Sequence, residues 1–130
     1  MSNRLATRRI LIVDDDADIR GSIDLALRGE GAETETVADG NAAVHAVQHN
    51  EPDLVVLDMM LPKASGFVVL DKIKDEKNAP LVIMVTANEG RRHQTYAEAH
   101  GVDAYLNKPV PLQRLVDTCV ELLGDSDAEE

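Results

Sequence analysis

The sequence predicts an α/β fold, a three-layer doubly wound domain with a parallel five-stranded sheet. Short apolar runs bounded by turn residues recur along the chain, as expected of strands that are buried on both faces of a parallel sheet. Segments with apolar residues at helical spacing separate these runs. Each segment is long enough to form the helical crossover that joins two parallel strands.

Five runs are predicted as strands, at about residues 8–13, 32–38, 53–57, 81–85 and 103–107. The first, third and fourth runs are continuously apolar and stop at Asp14, Asp58 and Thr86. The second run, AETETVA, alternates polar residues with small or apolar ones, as a half-exposed edge strand does. The fifth run is short and ends at Lys108 and Pro109.

Five helices are predicted, at about residues 17–28, 41–49, 66–76, 90–100 and 111–123. Four of them carry an apolar stripe that should face the sheet: Ile19, Ile23, Ala26 and Leu27; Ala43, Val44 and Val47; Val69, Leu70 and Ile73; and Leu112, Leu115, Val116, Cys119, Val120 and Leu123. The fourth helix offers only Tyr96, Ala97 and Ala99. We therefore expect this helix to be mobile or to face a partner.

The length of 130 residues predicts one domain over residues 8–123, with flexible termini at 1–7 and 124–130. The N-terminus lacks an apolar signal core, and no apolar run is long enough to span a bilayer. A single cysteine, Cys119, excludes an intramolecular disulfide and suits a reducing compartment. These features predict a cytoplasmic protein without membrane contact.

The net charge of −11 comes from 24 acidic residues set against 13 lysines and arginines. Binding to a nucleic acid backbone depends on clustered positive charge, so direct contact with nucleic acid is not expected. Partners with basic surfaces and cations are favoured instead.

The residues at the carboxyl ends of the predicted strands are ionisable or carry a hydroxyl group: Asp14, Asp15, Asp16, Asp58, Thr86 and Lys108. Sites in doubly wound sheets form at this edge. Carboxylates brought together there repel one another unless a cation neutralises them, and Mg²⁺ prefers such oxygen ligands.

This set of side chains suits phosphoryl transfer to a carboxylate. Asp58 is the candidate nucleophile, and Asp14, Asp15 and Asp58 itself are candidate ligands of Mg²⁺ or Mn²⁺. Thr86 would donate a hydrogen bond to the phosphoryl group, and Lys108 would form an ion pair with it. The alternatives are ordinary local roles, such as helix capping by an aspartate or a turn at Asp58. For Asp16 we favour the capping role.

Four motifs identify the chain as similar to the receiver domains of two-component response regulators: VDDD at 13–16, LDMMLPKASG at 57–66, VTAN at 85–88 and YLNKP at 105–109. They occur in the family's order and spacing, and the resemblance covers about residues 8–123. The resemblance implies the flavodoxin-like strand order 2-1-3-4-5, of which the chemotaxis receiver is a known example.

The resemblance also implies roles for individual residues. Asp58 would accept a phosphoryl group from a sensor histidine kinase or a histidine phosphotransfer protein. The backbone carbonyl of Met60 would be a further metal ligand. Thr86 and Tyr105 would form a switch pair that changes the surface presented to a downstream protein target, although Tyr105 could also serve in ordinary packing. The Lys108–Pro109 peptide bond is expected to be cis.

Two residues depart from the pattern of many relatives. Position 110 is Val where many have Phe, and Met60 is apolar where some carry a polar side chain that orients hydrolytic water. The second departure predicts a long-lived phosphorylated state.

The sequence therefore predicts a single-domain signalling switch, a monomer or weak homodimer, rather than a turnover enzyme. One alternative is a receiver-like dimerisation or scaffold module that is never phosphorylated. Another is a phosphatase that forms an aspartyl phosphate, although such enzymes usually carry a second carboxylate where this chain has Met60. A third is a fragment of a larger regulator. His45 and His49 are spaced one helical turn apart, but without an evident third ligand we interpret them as surface residues.

Overall fold

The computed structural model describes residues 3–61, 65–87 and 90–124. Five strands and five helices alternate in this part of the chain: β1 (Arg9–Val13), α1 (Ala17–Gly29), β2 (Glu33–Val37), α2 (Gly40–Asn50), β3 (Leu54–Asp58), α3 (Gly66–Lys74), β4 (Leu81–Thr86), α4 (Arg91–Ala99), β5 (Ala104–Asn107) and α5 (Leu112–Leu123). All strand pairs are parallel, and the order is β2-β1-β3-β4-β5. The predicted fold and the strand order implied by the resemblance are therefore confirmed.

The strand register aligns the carboxyl ends of the central strands. Val13 of β1 lies opposite Leu57 of β3, and Leu57 lies opposite Met84 of β4. β3 and β4 each extend one residue further than predicted, so Asp58 and Thr86 are the last residues of their strands. The candidate site residues are thus held by the sheet itself.

Two apolar clusters cover the two faces of the sheet. One face packs against α1 and α5 through alternate strand residues: Ile10, Ile12, Leu54, Val56, Ile83 and Val85. The other face packs mainly against α2 and α3 through the intervening residues: Leu11, Val13, Val55, Leu57, Val82 and Met84. Every residue of β3 is buried, whereas β2 is half exposed at the edge of the sheet, as its alternating sequence predicted.

The helices bury their apolar stripes with two exceptions. Leu112 is exposed at the start of α5, although the sequence placed it in the buried stripe. In α4, Tyr96 and Ala99 are exposed and Ala97 is the one buried residue. Cys119 of α5 is fully buried, and burial raises the pKa of its thiol to about 12.

The N-terminal lead-in is more closely packed than expected. Leu5 is completely buried in the cluster between α1 and α5, and its N–H donates a 2.9 Å hydrogen bond to the Glu30 carbonyl. Arg4 forms a 3.2 Å ion pair with Asp117 of α5. A lone leucine in a polar segment has no periodicity, so the sequence did not signal this contact. Residues 1–2 and 125–130, where the rest of the flexible termini were predicted, lie outside the described residues.

None of the helices in the described part of the chain has the length and apolar character needed to cross a membrane.

Gly66, the first residue of α3, sits against the backbone that carries Asp58. Its N–H donates a 2.8 Å hydrogen bond to the Met59 carbonyl. A Cβ at this position would lie 2.5 Å from Met59 Cα and 2.9 Å from the Asp58 carbonyl oxygen. Because both neighbours are backbone atoms, no side-chain rotation can relieve the clash. α3 can begin at this point only with glycine in place.

We expect Gly66→Ala to lower the free energy of unfolding by about 1–3 kcal/mol, the usual cost of overpacking. Gly21 provides a matched control, because a Cβ there would meet no atom within 4 Å. Gly21→Ala should raise the free energy of unfolding by about 0.5–1 kcal/mol, since it lies within α1. Urea denaturation measures both changes. Equal midpoints for Gly66→Ala and the wild type would contradict the close approach.

Candidate functional site

Three aspartates converge at the carboxyl edge of the sheet. Carboxylate oxygens of Asp14, Asp15 and Asp58 all lie within 4.8 Å of one another. Asp14 and Asp58 are almost completely buried, with exposed fractions of 3% and 4%, whereas Asp15 is exposed. Asp14 directly follows β1 and Asp58 ends β3, which are neighbouring strands. The sheet therefore brings together the carboxylates that the sequence predicted as ligands and nucleophile.

Lys108 joins the two buried carboxylates. Its Nζ lies 3.0 Å from Asp14 Oδ2 and 3.2 Å from Asp58 Oδ2. The residue follows β5, and its backbone N–H donates a 2.8 Å hydrogen bond to the Thr86 carbonyl at the end of β4. The Lys108–Pro109 peptide bond is cis, as expected. The chain that leaves β5 thus brings the Lys108 ammonium to the two buried aspartates.

Backbone groups hold the second oxygen of each buried carboxylate. The Met60 N–H donates a 3.0 Å hydrogen bond to Asp58 Oδ1, and the Asp16 N–H donates a 2.9 Å bond to Asp14 Oδ1. The carboxylate of Asp16 itself accepts hydrogen bonds from the first turn of α1, at Asp18 and Ile19. Its predicted role as a helix cap is therefore confirmed.

Burial and pairing of opposite charges shift the pKa values of Asp58 and Lys108 in opposite directions. Burial raises the pKa of the Asp58 carboxyl, and the nearby Asp14 adds to this, while the Met60 N–H and Lys108 act in the opposite direction. Burial alone would lower the pKa of the Lys108 ammonium, but Asp14 and Asp58 outweigh it and the pKa is raised. Lys108 therefore remains charged at neutral pH.

The donor set fits a hard divalent cation. Three carboxylates against one ammonium leave an excess of negative charge, and carboxylate oxygens are the ligands that Mg²⁺ and Mn²⁺ prefer. Met60 donates its N–H to Asp58, while its side chain is 62% exposed and points no polar atom at the site. The role of its carbonyl as a ligand stays a prediction.

Thr86 and Tyr105 lie on the same face of the sheet. Met84 and Thr86 are two residues apart on β4, and Tyr105 of β5 is the register partner of Met84. Thr86 is completely buried, whereas Tyr105 is half-buried, and burial raises the pKa of its phenol. The two candidate switch residues therefore occupy adjacent strands on the side covered by α2, α3 and α4.

Arg20 is a site residue that the sequence reasoning missed. Its Nη1 donates a 2.8 Å hydrogen bond to the Asp14 carbonyl, and its backbone N–H donates a 2.9 Å bond to the Asp16 carbonyl. The side chain thus reaches back from α1 to fix the turn that carries the first aspartates. The sequence signal was its position four residues after the capping aspartate, which brings it one turn above the cap.

The other candidates lie away from this edge. His45 and His49 are exposed on α2 with their rings stacked at 4.0 Å, which confirms that they are surface residues. Among the described residues, the three aspartates form the one cluster of at least three potential metal ligands.

Comparison with known proteins connects this geometry to a family. A family model described as the response regulator receiver domain matches residues 10–119. The chain is 38% identical over 109 residues to the DNA-binding response regulator MtrA of Mycolicibacterium paratuberculosis, covering 84% of this chain and 48% of that protein. It is 36% identical over 107 residues to the probable transcriptional regulatory protein TcrX of Mycobacterium tuberculosis, covering 82% and 46%. The chain thus spans about half the length of the curated relatives it matches.

Solved structures agree with this assignment. A CheY-like response regulator receiver domain protein from Methanospirillum hungatei has a TM-score of 0.85 at 31% identity, covering 88% of this chain and 92% of that one. The chemotaxis response regulator CheY4 of Vibrio cholerae has a TM-score of 0.84 at 26% identity, covering 89% and 98%. The match to the family model includes the whole aspartate and lysine site, and the chain belongs to the response regulator receiver domain family of two-component signalling.

Proposed function

We propose that this chain is a phosphorylation-activated switch in which Asp58 accepts a phosphoryl group from a histidine kinase or a histidine phosphotransfer protein. The observation that carries the proposal is the placement of Asp58: a buried carboxylate, 3.2 Å from the Lys108 ammonium and beside two further aspartates. A nucleophile, a cation and a set of metal ligands therefore meet at one point.

The transfer forms one bond and breaks one. An oxygen of the ionised Asp58 carboxylate attacks phosphorus, and the bond from phosphorus to the donor's imidazole nitrogen breaks, leaving its electron pair on the imidazole. Lys108 offsets the charge of the phosphoryl oxygens. A divalent ion held by Asp14, Asp15, Asp58 and the Met60 carbonyl would supply further neutralisation of that charge.

The surroundings of Asp58 favour reaction through a defined orientation. Oδ1 accepts the Met60 N–H and Oδ2 accepts Lys108, so the carboxylate is fixed before a donor arrives. An aspartyl phosphate brings additional negative charge into the site, which draws positive charge and hydroxyl donors toward it. The Thr86 hydroxyl, at the end of the adjacent strand, is the donor assigned to a phosphoryl oxygen.

The output of the switch is proposed to be a change in protein contacts. Movement of Thr86 toward the phosphoryl group would free space for Tyr105 on the same face of the sheet. The surface formed by α4, β5 and α5 would then change its fit to a downstream protein target. We propose a monomer or weak homodimer in the cytoplasm, and the net charge of −11 favours protein partners over direct contact with nucleic acid.

Mg²⁺ should stabilise the folded chain, because it relieves repulsion that the unfolded chain does not have. Linkage predicts a gain of about 2.7 kcal/mol when the Mg²⁺ concentration is a hundred times its Kd. Asp15→Asn should reduce this gain, since the exposed ligand can be replaced without unpairing Lys108. Asp18→Asn removes the same charge from the first turn of α1, outside the cluster, and should keep the gain. Urea denaturation with and without Mg²⁺ gives the comparison, and an unchanged gain in Asp15→Asn would count against the metal site.

Incubation with acetyl phosphate and Mg²⁺ should add one phosphoryl group, measured by intact mass spectrometry. We expect no adduct on Asp58→Asn or without Mg²⁺, and a normal adduct on Asp75→Asn, which changes an exposed carboxylate at the end of α3. A folded wild-type chain that gains no adduct in any condition would support the scaffold module instead.

The phosphorylated state should be long-lived, because the exposed side chain of Met60 offers no polar group to orient a hydrolytic water near Asp58. Met60→Gln should shorten the half-life several-fold, and Met60→Leu should leave it unchanged. Loss of the adduct is followed over time by intact mass after the phosphodonor is removed. A wild-type half-life as short as that of fast chemotaxis receivers would reject this interpretation.

A further inference from the structure

Helix α4 is held to the domain by little apolar burial. Ala97 is its one buried residue, whereas α1, α2, α3 and α5 each bury at least two. Its N-cap, Gly90, provides no side-chain hydrogen bond, and its first turn carries Arg91 and Arg92. Positive charge at a helix N-terminus is unfavourable for the helix dipole. The attachment of α4 must therefore depend on other contacts.

Those contacts lie between α3 and α4 and are called the ring seam here. It consists of the rings of Phe67, His93, Tyr96 and His100 together with the carboxylate of Asp71. The Phe67 ring lies 6.0 Å from the His93 ring at an interplanar angle of 2°, and 4.6 Å from the Tyr96 ring. The Tyr96 ring stacks on the His100 ring at 4.0 Å and 16°. His100 Nδ1 lies 2.7 Å from Asp71 Oδ1. The seam thus ends with the His100 imidazole paired with the Asp71 carboxylate.

We propose that protonation of His100 in this seam strengthens the attachment of α4 to the domain. An imidazole changes charge between about pH 5 and 8. When His100 is protonated, it forms an ion pair with Asp71, and its cationic ring lies against the face of Tyr96, which adds a cation–π attraction. When it is neutral, a hydrogen bond and ring packing remain but both charge interactions are lost. The attachment of α4 is therefore expected to be tighter at pH 6 than at pH 8.

Lys74 of α3, a cation three residues after Asp71, is engaged by other groups. Lys74 of α3 packs its methylene groups against Gly101, immediately after His100. Its ammonium is bound by Asp103, at 2.8 Å, and by the Pro80 carbonyl, at 2.9 Å. The positive charge of Lys74 is thus directed toward Asp103 rather than toward the imidazole. His93 is the second imidazole of the seam, and it stacks on the uncharged ring of Phe67.

The expected effect of His100 protonation is large enough to change the local opening of α4 but small compared with unfolding of the whole domain. The side chains of His100 and Asp71 are 37% and 47% exposed, so solvent screens their attraction, and we expect about a two- to fivefold change in an equilibrium. Such a change is small for unfolding of the whole domain. For a helix that opens locally at low free energy, it alters the open population by the same factor. α4 follows the strand that ends at Thr86, so its attachment bears on the surface presented to partners whether or not Asp58 is phosphorylated.

Amide hydrogen exchange at pH 6 and pH 8, corrected for intrinsic exchange rates, tests the proposal on the full chain. We expect α4 amides to be about two- to fivefold more protected at pH 6, with α5 amides as an internal reference that shows no such difference. Asp71→Asn keeps a hydrogen-bonding group but removes the charge, and His100→Gln removes the titration. His100→Gln should abolish the pH difference, and Asp71→Asn should reduce it to the part that the cation–π contact with Tyr96 supplies.

His93→Gln and His45→Gln are the matched histidine controls, and both should keep the difference. If His100→Gln frees α4 at both pH values, Asp71→Asn still decides the question. A wild-type α4 whose protection is the same at both pH values would overturn the proposal, as would a pH difference that keeps its full size in Asp71→Asn or disappears in His93→Gln.

Discussion

Two buried carboxylates, Asp14 and Asp58, share the ammonium of Lys108, and much of the fold depends on holding this arrangement in place. Like charges taken out of water repel strongly unless they are paired and hydrogen-bonded. The register of β1 and β3 brings the two aspartates side by side, and the chain leaving β5 brings Lys108 to both. Gly66 then lets α3 begin directly against the backbone of Asp58.

The same arrangement bears on the ligands that we propose for the site. Each buried carboxylate has one oxygen on a backbone N–H and the other on Lys108, so both carboxylates are hydrogen-bonded without a metal ion. The single ammonium nevertheless neutralises only one of these two negative charges, and Asp15 adds a third. A cation is therefore attracted to the site, and burial limits the screening that water would provide. The interactions that stabilise the resting site would thus also prepare it for the proposed phosphoryl group.

The sequence was most informative where a structural feature is local along the chain. Continuous apolar runs located the central strands. The residues that follow the first, third and fifth strands were predicted to converge, and Asp14, Asp58 and Lys108 do lie together. The strand order came from the family resemblance, because periodicity does not say which strands are neighbours. Leu5 and the ring seam were missed, since they depend on tertiary contacts that have no repeating pattern. Arg20 was missed because its side-chain bond to the Asp14 carbonyl is a local contact that no motif marks. Leu112 was misplaced because helical spacing also continues into the exposed first turn of a helix.

The helices differ in how much apolar surface attaches them to the sheet, and this difference matters for a conformational switch. A ligand shifts a conformational equilibrium only by the difference in free energy with which it binds the two states. Burying one large apolar side chain contributes about 1.5–3 kcal/mol, and α5 buries Leu115, Val116, Cys119 and Val120, so its release would cost more than one added charge can supply. Helix α4 buries Ala97, and its contacts with α3 include partly exposed rings and a partly exposed ion pair. Its position therefore depends on interactions of the same size as those that the proposed phosphorylation or protonation would change, so α4 is the helix best suited to transmit either proposed signal.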